Sequence, residues 1–144
     1  MTVINRKDVR SALATYLQAS VTKAQAVYPY QVADFNGASP VVYITSSGSA
    51  RVKLSGLGFN SNFVLNIHTF VLYPKKPDLA YSEQTAENLL DDLEQEIASA
   101  CLNIKNHSLI KAIMYDQPSN ADGMAEIAGE TYLHEIISVN VNCF

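Results

Sequence analysis

Apolar residues fall at helical spacing in two stretches of the chain and at strand spacing in most of the others. Val9, Ala12, Leu13, Tyr16 and Leu17 form a stripe of period 3–4. Asn5 is placed to cap it, with Asp8 three residues on, which predicts a helix over 6–19. Ala86, Leu89, Leu90, Leu93, Ile97, Ala100 and Cys101 form the second stripe behind a capping Ser82, predicting a helix over 82–102. In 62–73 the residues Phe63, Leu65, Ile67, Thr69, Val71 and Tyr73 alternate with Val64, Asn66, His68, Phe70 and Leu72, so this is a strand with one apolar and one mixed face. PVVYITSS (40–47), SLIKAIMYD (108–116) and ETYLHEIISVNVNCF (130–144) also read as strands. Segments 48–61, with three glycines, and 117–129 read as projecting loops. The 24–38 segment is apolar and aromatic, but Pro29 limits it to an edge strand or an extended arm.

The order helix, arm, strand, strand, helix, strand, strand predicts a single α+β domain over 1–144. Its sheet is mixed and mainly antiparallel, with two helices on one face. The other face is polar enough to be wet or to meet a partner. A compact domain of 144 residues is about 37 Å across, and a 12-residue strand spans about 40 Å, so the 62–73 strand crosses the whole domain.

Composition narrows the function more by exclusion than by motif. The net charge is −4, which argues against general electrostatic binding to nucleic acid or to anionic membranes. No run of about 18 apolar residues predicts a transmembrane helix, and the first residues carry no apolar run typical of a signal peptide. Cys101 and Cys143 read as buried small hydrophobes, consistent with folding in a reducing, soluble compartment. A glycine-rich phosphate loop, CxxC, HExxH and GxSxG are all absent from the sequence, so no catalytic residue, metal or cofactor is assigned. His68 and His134 lie on the mixed strand faces and would share a metal only if a third ligand joined them; polar-face or interface histidines are the default. Tyr28, Tyr30 and Phe35 cluster with only Lys23 nearby, which favours edge packing or protein contact over base stacking.

Charge is unevenly distributed. Arg6, Lys7 and Arg10 crowd the first turns of the first helix, where positive charge opposes the helix dipole. On the second helix Glu83, Glu87, Asp91 and Glu94 flank the apolar stripe on one side, and Asp92 and Glu96 on the other.

In this order, PVVYITSSG, NFVLNIHTFVLYPKKPD, SEQTAENLLDDLEQEIASAC and the closing SLIKAIMYDQPSNADGMAEIAGETYLHEIISVNVNCF, preceded by RKDVRSALATYLQ, resemble the tail terminator proteins of long-tailed phages with non-contractile tails. The resemblance implies a structural protein without catalysis or cofactor. Six copies would form a homo-oligomeric ring that caps the tail tube, stops its growth and presents a surface for head attachment. Implied partners are further copies of the chain, the tail tube protein and a head–tail connector or head-completion protein. DNA would pass through the ring without specific binding, and no membrane is involved. The implied location is the head-proximal end of the virion tail, after synthesis in the host cytoplasm. By position, the subunit and tube contacts fall on the loops 48–61 and 117–129, with Arg51, Lys53, Leu57, Phe59 and Met124, and the segregation of charge adds Arg6, Lys7, Arg10, Glu87, Asp91 and Glu94. The basic and acidic helices would meet across a head-to-tail interface, or the acids would face the channel. Other neck or tail-completion proteins are one alternative. A small ligand-binding or enzymatic domain of ferredoxin-like shape is another, and would need a concave pocket with convergent polar groups and perturbed acids.

Overall fold

Both helices start at the caps the sequence supplies. The fold is that of a computed structural model describing residues 3–54, 58–76 and 80–144. The Asn5 side chain accepts the Lys7 N–H at 2.9 Å at the head of α1 (Arg6–Ser20). The Ser82 hydroxyl accepts the Thr85 N–H at 3.2 Å at the head of α2 (Glu83–Leu102). Each cap satisfies a helix-end N–H that has no intrahelical partner. Six strands accompany them: β1 (Ala26–Tyr28), β2 (Val41–Leu54), β3 (Gly58–Leu72), β4 (Ile110–Tyr115), β5 (Asn120–Ile127) and β6 (Glu130–Cys143).

The strands form one sheet in the order β1-β2-β3-β6-β4, with β5 pairing β6 beside β4's end of the row. Only β1 with β2 is parallel; the remaining pairs are antiparallel. α1 lies over β1 and β2, and α2 over β3, β6 and β4. Val9, Leu13 and Leu17 of α1 and Leu93 and Ile97 of α2 are fully buried against Ile44, Leu65, Ile67, Ile137 and Val139 of the sheet. The fold is therefore α+β, one mixed sheet with both helices on one face.

Both segments expected to be loops contain strand. The pairing of β2 with β3 continues from Gly48↔Val64 to Leu54↔Gly58, so 48–61 is largely a long hairpin. Gly48 sits where the register shifts, a bulge that a glycine tolerates in mid-strand. Within 117–129, β5 folds back on β6 through Ala128 and Gly129, both at positive φ (51° and 84°). That is the backbone of a two-residue hairpin turn. Straight, the 15 residues of β3 would span about 50 Å, more than the domain's width; the sheet instead curls into a half-barrel.

The face away from the helices is also more covered than its polarity implied. Pro29 ends β1, and the chain from there to Pro40 lays Phe35 over Val41, Tyr43, Phe70 and Tyr132 to make a second, aromatic core. What stays open is an amide-rich surface. There Ser138 donates to Asn66 Oδ1 at 2.5 Å, and Asn142 donates to Asn62 Oδ1 at 2.9 Å.

Candidate interaction surfaces

A cleft of about 710 Å³ opens where the head of α1 meets β2. Arg6, Lys7, Arg10 and Arg51 line it together with Ile4 and Ser49. Helical spacing brings the first three together; β2 adds the fourth from a segment expected to be loop. Arg10 is anchored, Nε donating to the Pro29 carbonyl at 2.5 Å and Nη1 to Ser46 Oγ at 2.8 Å. Arg51 is anchored as well, with Nη2 on the Ile4 carbonyl at 2.8 Å and its guanidinium 5.0 Å from the centre of the Phe63 ring. Among the described residues Arg6 makes a single 3.3 Å bond, to Ser49. A guanidinium has five N–H donors, so each arginine keeps several for a ligand. Among the described residues the one ion pair is Lys75–Glu130, so none of these four cations meets a carboxylate there.

The acids of α2 face two ways. Glu96 turns toward the end of α1 and accepts from the Thr22 and Lys23 backbone and the Thr22 hydroxyl at 2.8–3.0 Å. These bonds and the Lys23 charge outweigh its partial desolvation and hold its pKa below the usual carboxylate range. Glu87, Asp91 and Glu94 are on the other flank, Asp91 and Glu94 toward β6 and β4 and Glu87 near Tyr73 at the end of β3. Glu94 accepts from the Tyr115 hydroxyl at 2.9 Å. The cations thus lie beside β2 and these acids beyond β3, at opposite sides of the sheet.

Glu135, which the sequence analysis did not single out, is buried beneath this acidic flank. Desolvation raises its pKa first, and the Glu94 and Asp91 charges add to the rise, against a Ser119 hydrogen bond. Its odd-numbered position, shared with Leu133 and Ile137, is the sequence signal that could have found it. A carboxyl whose folded pKa lies above its unfolded value destabilises the fold once ionised. Glu135→Gln removes that charge and keeps an acceptor for Ser119. It should raise stability at pH 7, read as a higher melting temperature than the parent's. The gain should vanish near pH 4, where both forms are neutral. Calorimetry at the two pH values checks this, and a fall in stability at pH 7 contradicts it.

The remaining predicted residues are dispersed. Lys53 and Phe59 pair through their backbones near the end of the β2–β3 hairpin; Leu57 lies outside the described residues. Met124 is on β5, 59% exposed and away from the cationic cleft. His68 and His134 do meet, Nδ1 to Nε2 at 3.1 Å, and His68 Nε2 contacts Thr45 Oγ1 at 3.0 Å. They bond to each other rather than converging on a shared centre, and no cluster of three metal-ligating groups occurs among the described residues. Tyr28 and Tyr30 have their rings 6.0 Å apart, and Tyr28 packs against the aromatic cluster that holds Phe35. Cys101 and Cys143 are buried free thiols, pushed up to about 12 and about 11 by desolvation. No helix among the described residues is long and apolar enough to cross a membrane. Comparison with known proteins finds no family model that matches the chain and no matching curated relative.

Proposed function

We propose that the chain is a structural subunit that caps a phage tail tube as a ring, ends its elongation and offers the surface to which the head attaches. The segments that carry the resemblance to tail terminators occupy α1, β2, β3, α2, β4, β5 and β6 in the same order, in an α+β fold of the kind the resemblance implies.

One observation supports the reading most directly. β6 pairs β3 no further than Ser61↔Cys143, whereas β2 and β3 pair with each other out to Leu54↔Gly58. The hairpin therefore runs about 10 Å past the last pair of β3 with β6. A subunit that caps a tube needs an element reaching out of its own plane, and this hairpin has the reach.

Electron microscopy of virions made without the protein tests the proposal. Tails of abnormal and variable length are expected. Tails of normal length without heads would make it a joining factor instead, and intact virions would exclude a structural role.

A further inference from the structure

The cationic cleft and the acidic flank of α2 are complementary, and within one chain they cannot meet. α1 sits over β1 and β2, and α2 over β3, β6 and β4, with Asp91 and Glu94 turned toward β6 and β4 and Glu87 near Tyr73, just past the end of β3. About 10–15 Å of sheet separates the two patches. The spacing along each helix also matches. Arg6 and Arg10 are one turn apart, as are Glu87 and Asp91, a rise of about 6 Å in both cases.

Four cations converge on a cleft of about 710 Å³ with no carboxylate partner among the described residues. Two of them, Arg10 and Arg51, are held in place by carbonyl and hydroxyl contacts from other parts of the fold. Positive charge at the head of α1 works against the helix, so helix stability does not account for it. Carboxylates presented one helical turn apart suit guanidinium donors arranged in the same way.

We propose that this cleft receives the Glu87–Asp91–Glu94 flank of α2 from a second copy of the chain, so that copies join head to tail. Each copy then offers a basic patch on one side and an acidic one on the other, the arrangement that generates rings or open filaments rather than two-fold dimers. The inference deepens the ring reading, but the contact itself does not depend on phage tails. A nucleic-acid backbone is the competing occupant. It fits less well, because the chain is acidic overall at −4 and the acids lie on the same domain.

The test uses two variants of the full chain. Arg6→Glu with Lys7→Glu cancels the positive charge of the cleft, where Arg10 and Arg51 remain, and Glu87→Lys with Asp91→Lys turns the α2 flank net positive. All four positions are exposed. Acidic residues in the first turn favour a helix, so the first variant should fold at least as well as the parent, which its melting temperature checks. Sedimentation velocity at low salt should show the parent associating, and each variant associating about a hundredfold more weakly. Mixing the two variants one to one should restore association in pairs, because the intact cleft of the second variant then meets the intact acidic flank of the first, and 0.5 M salt should weaken both assemblies. A variant that associates as the parent does, or a mixture that stays monomeric, overturns the proposal. So does retention of a short DNA duplex by the parent alone together with unchanged self-association in the variants. Failure here combined with lengthened tails in virions lacking the protein would leave the terminator reading standing. Restored association combined with normal tails would leave the contact standing without it.

Discussion

Phe35→Ala should lower the unfolding free energy by about 3 kcal/mol and the melting temperature by about 10 °C. Phe35 is 3% exposed and seals the second core, its ring centred 5.0 Å from Phe70 and 5.2 Å from Tyr132. Removing it takes away a buried aromatic ring and three aromatic contacts, and from the arm only the smaller Val32 and Ala38 pack against the same cluster to refill the space. The helix-side core does not involve Phe35, so far-UV ellipticity of the folded protein should stay unchanged. Cleavage within the arm should become faster under limited proteolysis. Tyr30→Ala is the control: Tyr30 belongs to the same arm but is 57% exposed, and its loss should cost no more than about 0.5 kcal/mol. Equal effects from the two substitutions, or a loss below about 1 kcal/mol at Phe35, would contradict the account of the second core. Urea denaturation followed by tyrosine fluorescence measures both.

The arm shows where sequence reading reached its limit. Pro29 correctly restricts 24–38 to an edge strand or arm, but nothing local says that Phe35 folds back over Tyr43 and Phe70 while Tyr30 stays in water. That difference is set by tertiary contact. The helices were legible because their signals are local: Asn5 and Ser82 cap where they stand, and the stripes through Leu13 and Leu93 are the buried ones. The faces of β3 were legible for the same reason. The two hairpins were missed because glycine carries opposite meanings in strands and in loops. Gly48 looked like a loop residue and sits at a bulge, and Gly123, within the segment read as a loop, lies inside β5. The actual turn is Ala128-Gly129, whose alanine adopts a positive φ usually filled by Asn or Asp. An alanine gives no warning of that conformation.

The surfaces divide in the same way. Helical spacing alone placed Arg6, Lys7 and Arg10 together and separated Glu87, Asp91 and Glu94 from Asp92 and Glu96. Arg51 joined the first group only through the register of β2 and its bond to Ile4, neither of which is local. That the two charged groups stand at opposite sides depends on the crossover placing α2 on the β6 side of α1, a property of the whole topology.

Acidification should remove about 2 kcal/mol of stability between pH 7 and pH 4 through one histidine pair. His68 and His134 stack at 5.4 Å, between Tyr43, 4.7 Å from His68, and Phe70, 4.4 Å from His134. In the neutral pair one ring donates and the other accepts across 3.1 Å; two imidazoliums would point N–H groups at each other there. Burial first, and the neighbouring ring second, lower the pKa of His68 to about 4; burial also lowers that of His134. The flanking aromatic faces would attract a cation, but by about 0.5–1 kcal/mol, too little to reverse the desolvation. The unfolded chain therefore binds protons on these rings below about pH 6.5 while the folded one does not, and stability falls as pH drops through that range. A shift from 6.5 to about 4 would amount to about 3 kcal/mol if fully expressed, and partial exposure of the rings reduces it to about 2. His68→Gln keeps a group able to bond Thr45 and His134 but cannot be protonated. Its stability should fall less steeply over the same interval, the two profiles diverging below pH 6.5 and running parallel again below about pH 4. Parallel profiles from pH 7 downward would show that the pair is not what makes the fold acid-sensitive.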